Sequence, residues 1–380
     1  MTILPQNVPV MIKLVADNTI PFLKGIPEDF AEVTYLHASD FTPESIKQAD
    51  ALIVRSINKC TRNLLAGSNV KLITTATIGF DHIDIRYCEE AGIKWNNAPG
   101  CNAVSVSQYV LSSLLTLAAR KGEALKGKTI GIIGVGHVGR EVEKLSRAMG
   151  LRILLNDPPR AEKEGGDAFV SLDRIAKEAD IITVHTPLEK EGKYPTYHLI
   201  DKPFLSQLQK KPWFINAARG GIHQTEALIQ AKQNGLISEM ILDCWENEPH
   251  IDLHLLDMAS IATPHIAGFS ADGKANATRA CLKNIGDFFH IDRVRTEDVL
   301  PPPPADPIIN LSGCQSDVIS QAVFTSFSPL HIDQCLRNEP QRFESFRTGY
   351  DHPREFSAYT VTNAPEEEKP VLRQLGFQVI

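Results

Sequence analysis

TIGIIGVGHVGREVEKLSRAMGLRILLND, residues 129–157, decides the fold. An apolar run, TIGIIG (129–134), reads as a buried strand. It turns through Gly134-Val-Gly136-His-Val-Gly139 into a helical pattern, HVGREVEKLSRAMG. A second apolar run, RILLN (152–156), leads to Asp157, 21 residues beyond Gly136. Strand, glycine turn, helix, strand and acid at this spacing form a dinucleotide-binding fingerprint. Gly134 permits the tight turn, Gly136 lets the backbone approach a pyrophosphate, and Gly139 lets helix and strand pack closely. The helix start then offers unpaired N–H groups and a partial positive charge to the phosphates. Asp157 suits the ribose hydroxyls and would repel a 2′-phosphate, so NAD is expected over NADP despite Arg160 nearby.

Outward from this unit the alternation continues. IITVH (181–185), WFINA (213–217), MILD (240–243) and SIAT (260–263) read as further strands of a parallel sheet. Upstream, MIKLVA (11–16), ALIVR (51–55), LITTA (72–76) and IKWN (93–96) form another strand series. The segment TPESIKQA reads as an intervening helix, with Thr42 as N-cap and Pro43 in its first turn. A long apolar helix over 106–125 joins the two series. The four prolines at 301–304 cannot donate backbone hydrogen bonds and read as a stiff linker. Beyond them the pattern predicts short helices, a strand over 356–363, a helix over 366–375 and a terminal strand, FQVI.

The composition narrows the function. Of 380 residues, 39 are Lys or Arg and 46 are Asp or Glu, a net charge of −7. That balance lacks the basic footprint a nucleic-acid protein needs. No apolar run approaches the ~18 residues of a membrane span, so no membrane partner is expected. The start shows no signal-peptide pattern. Seven scattered cysteines without a C-x-x-C pair argue against a disulfide framework and a metal site. Reduced thiols in the cytoplasm are the simplest reading.

Three segments after the fingerprint carry polar groups where strands should end: NAARGG (216–221), DCWENEP (243–249) and TPHIAG (263–268). Ligands of open parallel sheets lie at those ends, so Arg219, Asp243, Glu248 and His265 are expected to converge there. Arg219 offers a planar fork for a carboxylate. His265 can take a hydroxyl proton as hydride leaves, and Glu248, paired to the far ring nitrogen, would fix its tautomer. The chemistry that this set suits is oxidation of a 2-hydroxy acid.

The blocks GVGHVGRE, HTPL (185–188), INAARGG, LDCWENEP and TPHIAG resemble the signatures of the D-isomer-specific 2-hydroxyacid dehydrogenases. That resemblance implies Arg219, Glu248 and His265 as the catalytic set. It implies NAD contacts from Gly134, Gly136, His137, Val138, Gly139, Asp157, Thr186, Ala217, Ala218, Arg219, Asp243 and Gly268. It also implies a Rossmann NAD-binding domain (107–268) inserted in a flavodoxin-like substrate domain (1–106 and 269–296). Within the family, LVADNTIP (14–21), ATIGFDHID (76–84), NAPGCNAVSVSQYVL (97–111) and HIAGFSADGK (265–274) resemble one branch, which acts on a phosphorylated hydroxy acid. The branch implies substrate contacts from Ser56, Thr77 and Phe269, the last replacing a family tyrosine and losing its hydroxyl. It further implies a small α+β C-terminal domain (297–380) that joins two copies into a homodimer. Arg347 and Arg354 are candidates for the phosphate, and residues 1–10 read as a dispensable extension. A phosphoglycerate dehydrogenase is the nearest rival, and an NAD-sensing corepressor-like scaffold a remote one.

Overall fold

The computed structural model describes residues 11–314 and 317–380. The expected extension at 1–10 therefore lies outside the described residues. The chain forms two compact units, one of Met1–Cys101 with Asp272–Pro302, the other of Asn102–Ala271 with Pro303–Ile380. The second is thus inserted in the first along the chain, and a boundary falls inside the proline run.

The first unit holds a parallel sheet of β1 (Ile12–Asp17), β2 (Ala31–Leu36), β3 (Ala51–Val54), β4 (Leu72–Thr75) and β5 (Lys94–Asn96). Its order, β2-β1-β3-β4-β5, is that of flavodoxin-like folds. The inner strands β1, β3 and β4 bury side chains on both faces. Leu14, Ala16, Ile53 and Leu72 face a core shared with Cys281, Leu282 and Ile285 of the Ala271–Phe289 helix. Val15, Leu52, Val54 and Ile73 face a second core with Ile46, Leu65 and Cys88.

Two expectations fail here. The sequence reading has no strand at 31–36, yet β2 pairs with β1 along its whole length. The expected helix over 42–49 is a run of turns. Ser45 explains this locally, because its hydroxyl donates to the Asp40 and Thr42 carbonyls and accepts from the Thr42 N–H. A side chain that competes this way for backbone groups favours turns over helix. Asp50 N already donates to Lys13 O, which leaves the segment no room to propagate.

The second unit is built on a six-stranded parallel sheet: β6 (Thr129–Ile133), β7 (Arg152–Asn156), β8 (Ile181–Val184), β9 (Trp213–Asn216), β10 (Glu239–Leu242) and β11 (Ile261–Ala262). Its order is β11-β10-β9-β8-β6-β7, so the winding reverses between β6 and β8. This is the Rossmann-like arrangement expected from residues 129–157, and a crevice at the reversal is where such sheets bind ligands. The long helix spans Ala103–Lys121 and stops at Gly122, whose φ of 64° is left-handed. A side chain would strain that conformation, so glycine ends the helix cleanly.

Residues 303–380 pack with this unit. Their three strands, β12 (Ile308–Asn310), β13 (Thr360–Thr362) and β14 (Gln378–Val379), form a small parallel sheet. Val361, Leu372, Leu375 and Phe377 join the core around Tyr109 and Leu115. Polar ties reinforce the packing: Ser112 Oγ donates to Phe327 O, and Ala262 N donates to Asp333 Oδ1. Strand β12 escapes the sequence reading, and the expected strand over 356–363 opens as a short 3-10 turn, Phe356–Ala358, before β13. Pro370 sits in the first turn of the Lys369–Leu375 helix, where its missing N–H costs nothing. Among the described residues no helix is long and apolar enough to cross a membrane.

Candidate active site

The cofactor cradle is built from the ends of β6 and β8. Gly134 lies at φ +86°, and a Cβ there would come within 2.8 Å of His185 and Thr186 at the end of β8. A Cβ on Gly139 would lie 2.1 Å from Gly134 O, so the strand–helix contact admits glycine alone. A Cβ on Gly136 would meet nothing within 4 Å. That residue faces open space at the start of the His137–Ala148 helix, which has no side-chain cap. Unpaired N–H groups therefore face a space that a pyrophosphate can fill. His137 is exposed there, whereas Val138 turns inward against the core. Beside them, the Thr186 hydroxyl and His185 Nδ1 are buried without a hydrogen-bond partner among the described residues. Burial pushes the His185 imidazole down to about 3, so it stays neutral. Orphaned polar atoms beside an open glycine turn fit a dinucleotide.

Asp157 closes the second βα connection. One carboxylate oxygen accepts from Val135 N at 2.8 Å, the other from Arg160 N at 3.0 Å. Each oxygen retains a lone pair for a ribose hydroxyl. Arg160 is already committed to Glu164, to Val135 O and to the Phe169 ring. Its guanidinium is therefore not available to a 2′-phosphate, which removes the one sequence feature that favoured NADP.

Three turns at the ends of β9, β10 and β11 carry the remaining groups. Asn216, buried at the end of β9, accepts from Ala218 N through its side-chain oxygen and donates to Arg219 O. This fixes the Ala217–Arg219 turn, with both alanines buried and Arg219 exposed. Asp243, 1 % exposed, holds the β11 turn. It accepts from Thr263 Oγ1 (2.6 Å), Ile266 N (2.8 Å) and Ala267 N (3.0 Å). Burial pushes its carboxyl up, and the His265 charge and these donors oppose that. Gly268 packs against Asn102, where a Cβ would come within 2.1 Å of the amide nitrogen.

His265 sits in this braced turn at φ +57°. Its Nδ1 lies 2.8 Å from Glu248 Oε2, and Glu248 Oε1 accepts from Trp245 N at 2.8 Å. A carboxylate can accept only, so Nδ1 carries the proton and Nε2 is left to exchange one with a ligand. Burial pushes the Glu248 carboxyl up, but the His265 hydrogen bond and charge, the Trp245 N–H and the Arg347 charge outweigh it, and the net shift is downward. The carboxylate is therefore ionised near neutrality.

The Rossmann unit also contains residues that the sequence reading overlooked. Cys244 is buried beneath the pair, and its Sγ with ligand atoms of Glu248 and His265 lies within a 4.8 Å cluster. Burial, Asp243 and Glu248 raise its thiol far above the ordinary value, against the pull of Arg219 and Arg347. A neutral buried thiol is a poor nucleophile and a poor ligand. Glu246, two residues from Glu248, holds a second histidine, His198, at 2.7 Å. Asn216 was hidden in an apolar strand; its place directly before AARGG was the available clue.

Ser56 and Thr77 lie in the first unit. Ser56 is exposed on a turn shaped by Asn58, which accepts from Arg55 N and donates to the buried Asp17. The Thr77 hydroxyl donates to Gly79 O at 2.7 Å, so it is left with acceptor capacity. Phe269 stacks on His352, with centroids 5.6 Å apart.

Residues 106–267 match the NAD-binding domain of the D-isomer specific 2-hydroxyacid dehydrogenases. An erythronate-4-phosphate dehydrogenase of Porphyromonas gingivalis is 50% identical over 96% of this chain and 100% of its own. That of Bacteroides thetaiotaomicron is 48% identical over 92% and 99%. The chain belongs to the erythronate-4-phosphate dehydrogenases. It is an NAD-dependent oxidoreductase of the D-2-hydroxyacid dehydrogenase family. Among solved structures, a D-lactate dehydrogenase from Aquifex aeolicus, complexed with NAD and lactic acid, matches 74% of this chain and 96% of its own, with a TM-score of 0.60 and 27% identity. A 3-phosphoglycerate dehydrogenase from Entamoeba histolytica with bound NAD matches 75% and 98%, with a TM-score of 0.61 and 28% identity.

Proposed function

We propose that this chain oxidises 4-phospho-D-erythronate at C2 to 2-oxo-3-hydroxy-4-phosphobutanoate, a step towards pyridoxal 5′-phosphate (vitamin B6). The observation that carries this reading is the His265–Glu248 pair at 2.8 Å, in a chain half identical to an enzyme of that name. Arg219 grips the substrate carboxylate through two parallel N–H bonds and polarises the 2-oxygen. His265 Nε2 takes the C2 hydroxyl proton. The charge that forms on the ring is balanced by Glu248, which also keeps Nδ1 as the protonated nitrogen. Bound NAD supplies the acceptor for the hydride. Gly134, Gly136, His137, Val138 and Gly139 cradle its phosphates, and Asp157 and Thr186 engage its sugars. Ala217, Ala218, Arg219, Asp243 and Gly268 shape the nicotinamide end. Ser56, Thr77 and Phe269 contact the substrate.

In this reading residues 107–268 bind NAD, 1–106 with 269–296 bind substrate, and 297–380 join two copies in a homodimer. Ile308 and Ile380, 64 % and 76 % exposed on and beside the edge strands of the small sheet, support self-association. The cytoplasm is the proposed location. The test is a substrate comparison: purified protein receives 4-phospho-D-erythronate or D-3-phosphoglycerate, with NAD and a 2-oxo acid as terminal acceptor. Mass spectrometry then quantifies both oxidised products. Preference for phosphoerythronate is expected. Preference for phosphoglycerate would keep the fold, cofactor and acid–base pair but overturn the substrate.

A further inference from the structure

A phosphorylated hydroxy acid presents anions at both ends. Arg219 serves the carboxylate, and the phosphate lies two carbons and an ester oxygen beyond the reacting carbon. A phosphate in a partly buried site needs charge-assisted donors, and arginine supplies them best. The dinucleotide fold around His265 offers no further arginine among the residues assigned above. The C-terminal segment does.

The Phe343–Thr348 helix carries Arg347, and the chain after it is fastened to the His265 turn. Ala271 N donates to Pro353 O at 3.0 Å, and Ser270 Oγ donates to Glu355 Oε1 at 2.9 Å. His352 stacks on Phe269, four residues beyond His265. The Arg347 guanidinium lies over the same Phe269 ring, 6.0 Å from its centroid. Its charge reaches the reacting pair, because it helps to hold Glu248 ionised and also acts on Cys244.

Arg347 is under-used by the protein itself. Its Nε is buried and, among the described residues, has no hydrogen-bond partner. Among the described residues its one ion pair, to the largely exposed Glu344, is 3.5 Å long. Neighbouring arginines are spent differently: Arg337 bonds to Asp333, Leu256 O and Ala259 O, and Arg342 to Glu339 and the Phe346 ring. A buried guanidinium N–H without an acceptor is costly, so a ligand that supplies one binds with that cost relieved.

We propose that Arg347 binds the phosphate monoester of the substrate, so that the C-terminal segment sets the preference for a phosphorylated acid. The inference rests on the substrate class given above. It is tested with Arg347→Met, and with Arg347→Lys as the conservative variant, both checked for an unchanged melting temperature. The readout is kcat/KM for 4-phospho-D-erythronate divided by kcat/KM for D-erythronate, which has the same carbons and no phosphate. R347M is expected to lower this ratio ~10–100-fold, mostly through KM of the phosphoester, with R347K between. A ratio within about twofold of the parent, including equal loss on both acids, would overturn the inference. If neither acid is oxidised by the parent, the substrate assignment fails and the arginine is judged by calorimetric titration of the NAD-bound protein with inorganic phosphate. Binding by the parent and not by R347M supports the anion site; equal binding, or none by either, rejects it.

Discussion

Two histidine–carboxylate pairs hang from one short loop, DCWENEP (243–249), and they differ in what surrounds them. Glu246 holds His198 at 2.7 Å, and Glu248 holds His265 at 2.8 Å. Both histidines have positive φ, 54° and 57°. In each pair the second carboxylate oxygen accepts a backbone N–H, from Thr225 in one and Trp245 in the other. The local chemistry is thus nearly the same. His198, however, stacks on Tyr197 at 3.9 Å, and its backbone N–H donates to Gly221 O. It clamps the back of the turn that carries Arg219. His265 instead lies on the turn braced by Asp243, with Arg347 acting on its carboxylate partner. On the proposed reading, a histidine–carboxylate pair becomes an acid–base device through the strand end it occupies, and elsewhere the same pair is a brace.

The largest expected effect separates the two histidines. His265→Gln should lower substrate oxidation by ~10²–10⁴-fold, the range for loss of a general acid–base. His198→Gln should cost less than about tenfold, because it only loosens the Arg219 turn. Parallel initial rates at saturating NAD check this, and a His198→Gln loss as deep as that of His265→Gln would erase the distinction.

Stability should treat the pairs alike. Burial pushes Glu246 up, but the Thr225 N–H and the His198 bond prevail, so its carboxyl, like that of Glu248, titrates below its ordinary value. A carboxyl lowered by folding contributes stability above its unfolded pKa and loses it as pH falls through the lowered folded value. Glu246→Gln and Glu248→Gln should therefore each cost about 1 kcal/mol at neutral pH. The gap to the parent should close on acidification below the ordinary glutamate range. Chemical denaturation at neutral and acid pH measures it; a gap that widens in acid would reverse the assigned sign.

The smallest effect concerns Cys244, which clusters with the His265 pair. Its neutral, buried thiol should make Cys244→Ala active within about fivefold of the parent, and a brief exposure to iodoacetamide should not inactivate the parent through this residue. Rapid inactivation that C244A abolishes would give the thiol a reactive role.

The sequence discloses some of these features and conceals others for physical reasons. Strands β6 to β10 lie within a residue or so of their expected limits, because buried parallel strands are continuous apolar runs between turn residues. Strand β2, AEVTYL, is an edge strand with polar residues and mixed burial, so its pattern is diluted. Strand β12 has three residues, too few to show a period. The pairing of His265 with Glu248 was legible because both sit in short motifs behind a dinucleotide fingerprint. The Glu246–His198 pair was not: 48 residues separate its partners, and His198 lies in a loop with no periodic cue. Arg347 was visible as a charge, while its approach to Phe269 depends on tertiary packing of the C-terminal segment.

The most direct measurement places the two carboxylates side by side. The parent, Glu248→Gln and Glu246→Gln receive 4-phospho-D-erythronate, NAD and a 2-oxo acid acceptor, and the rate of oxidised product is followed by mass spectrometry. Glu248→Gln should slow oxidation by about 10²-fold or more, with Glu246→Gln within about fivefold of the parent. Equal losses in both variants, or full activity in Glu248→Gln, would contradict the assignment of His265 and Glu248 as the acid–base pair.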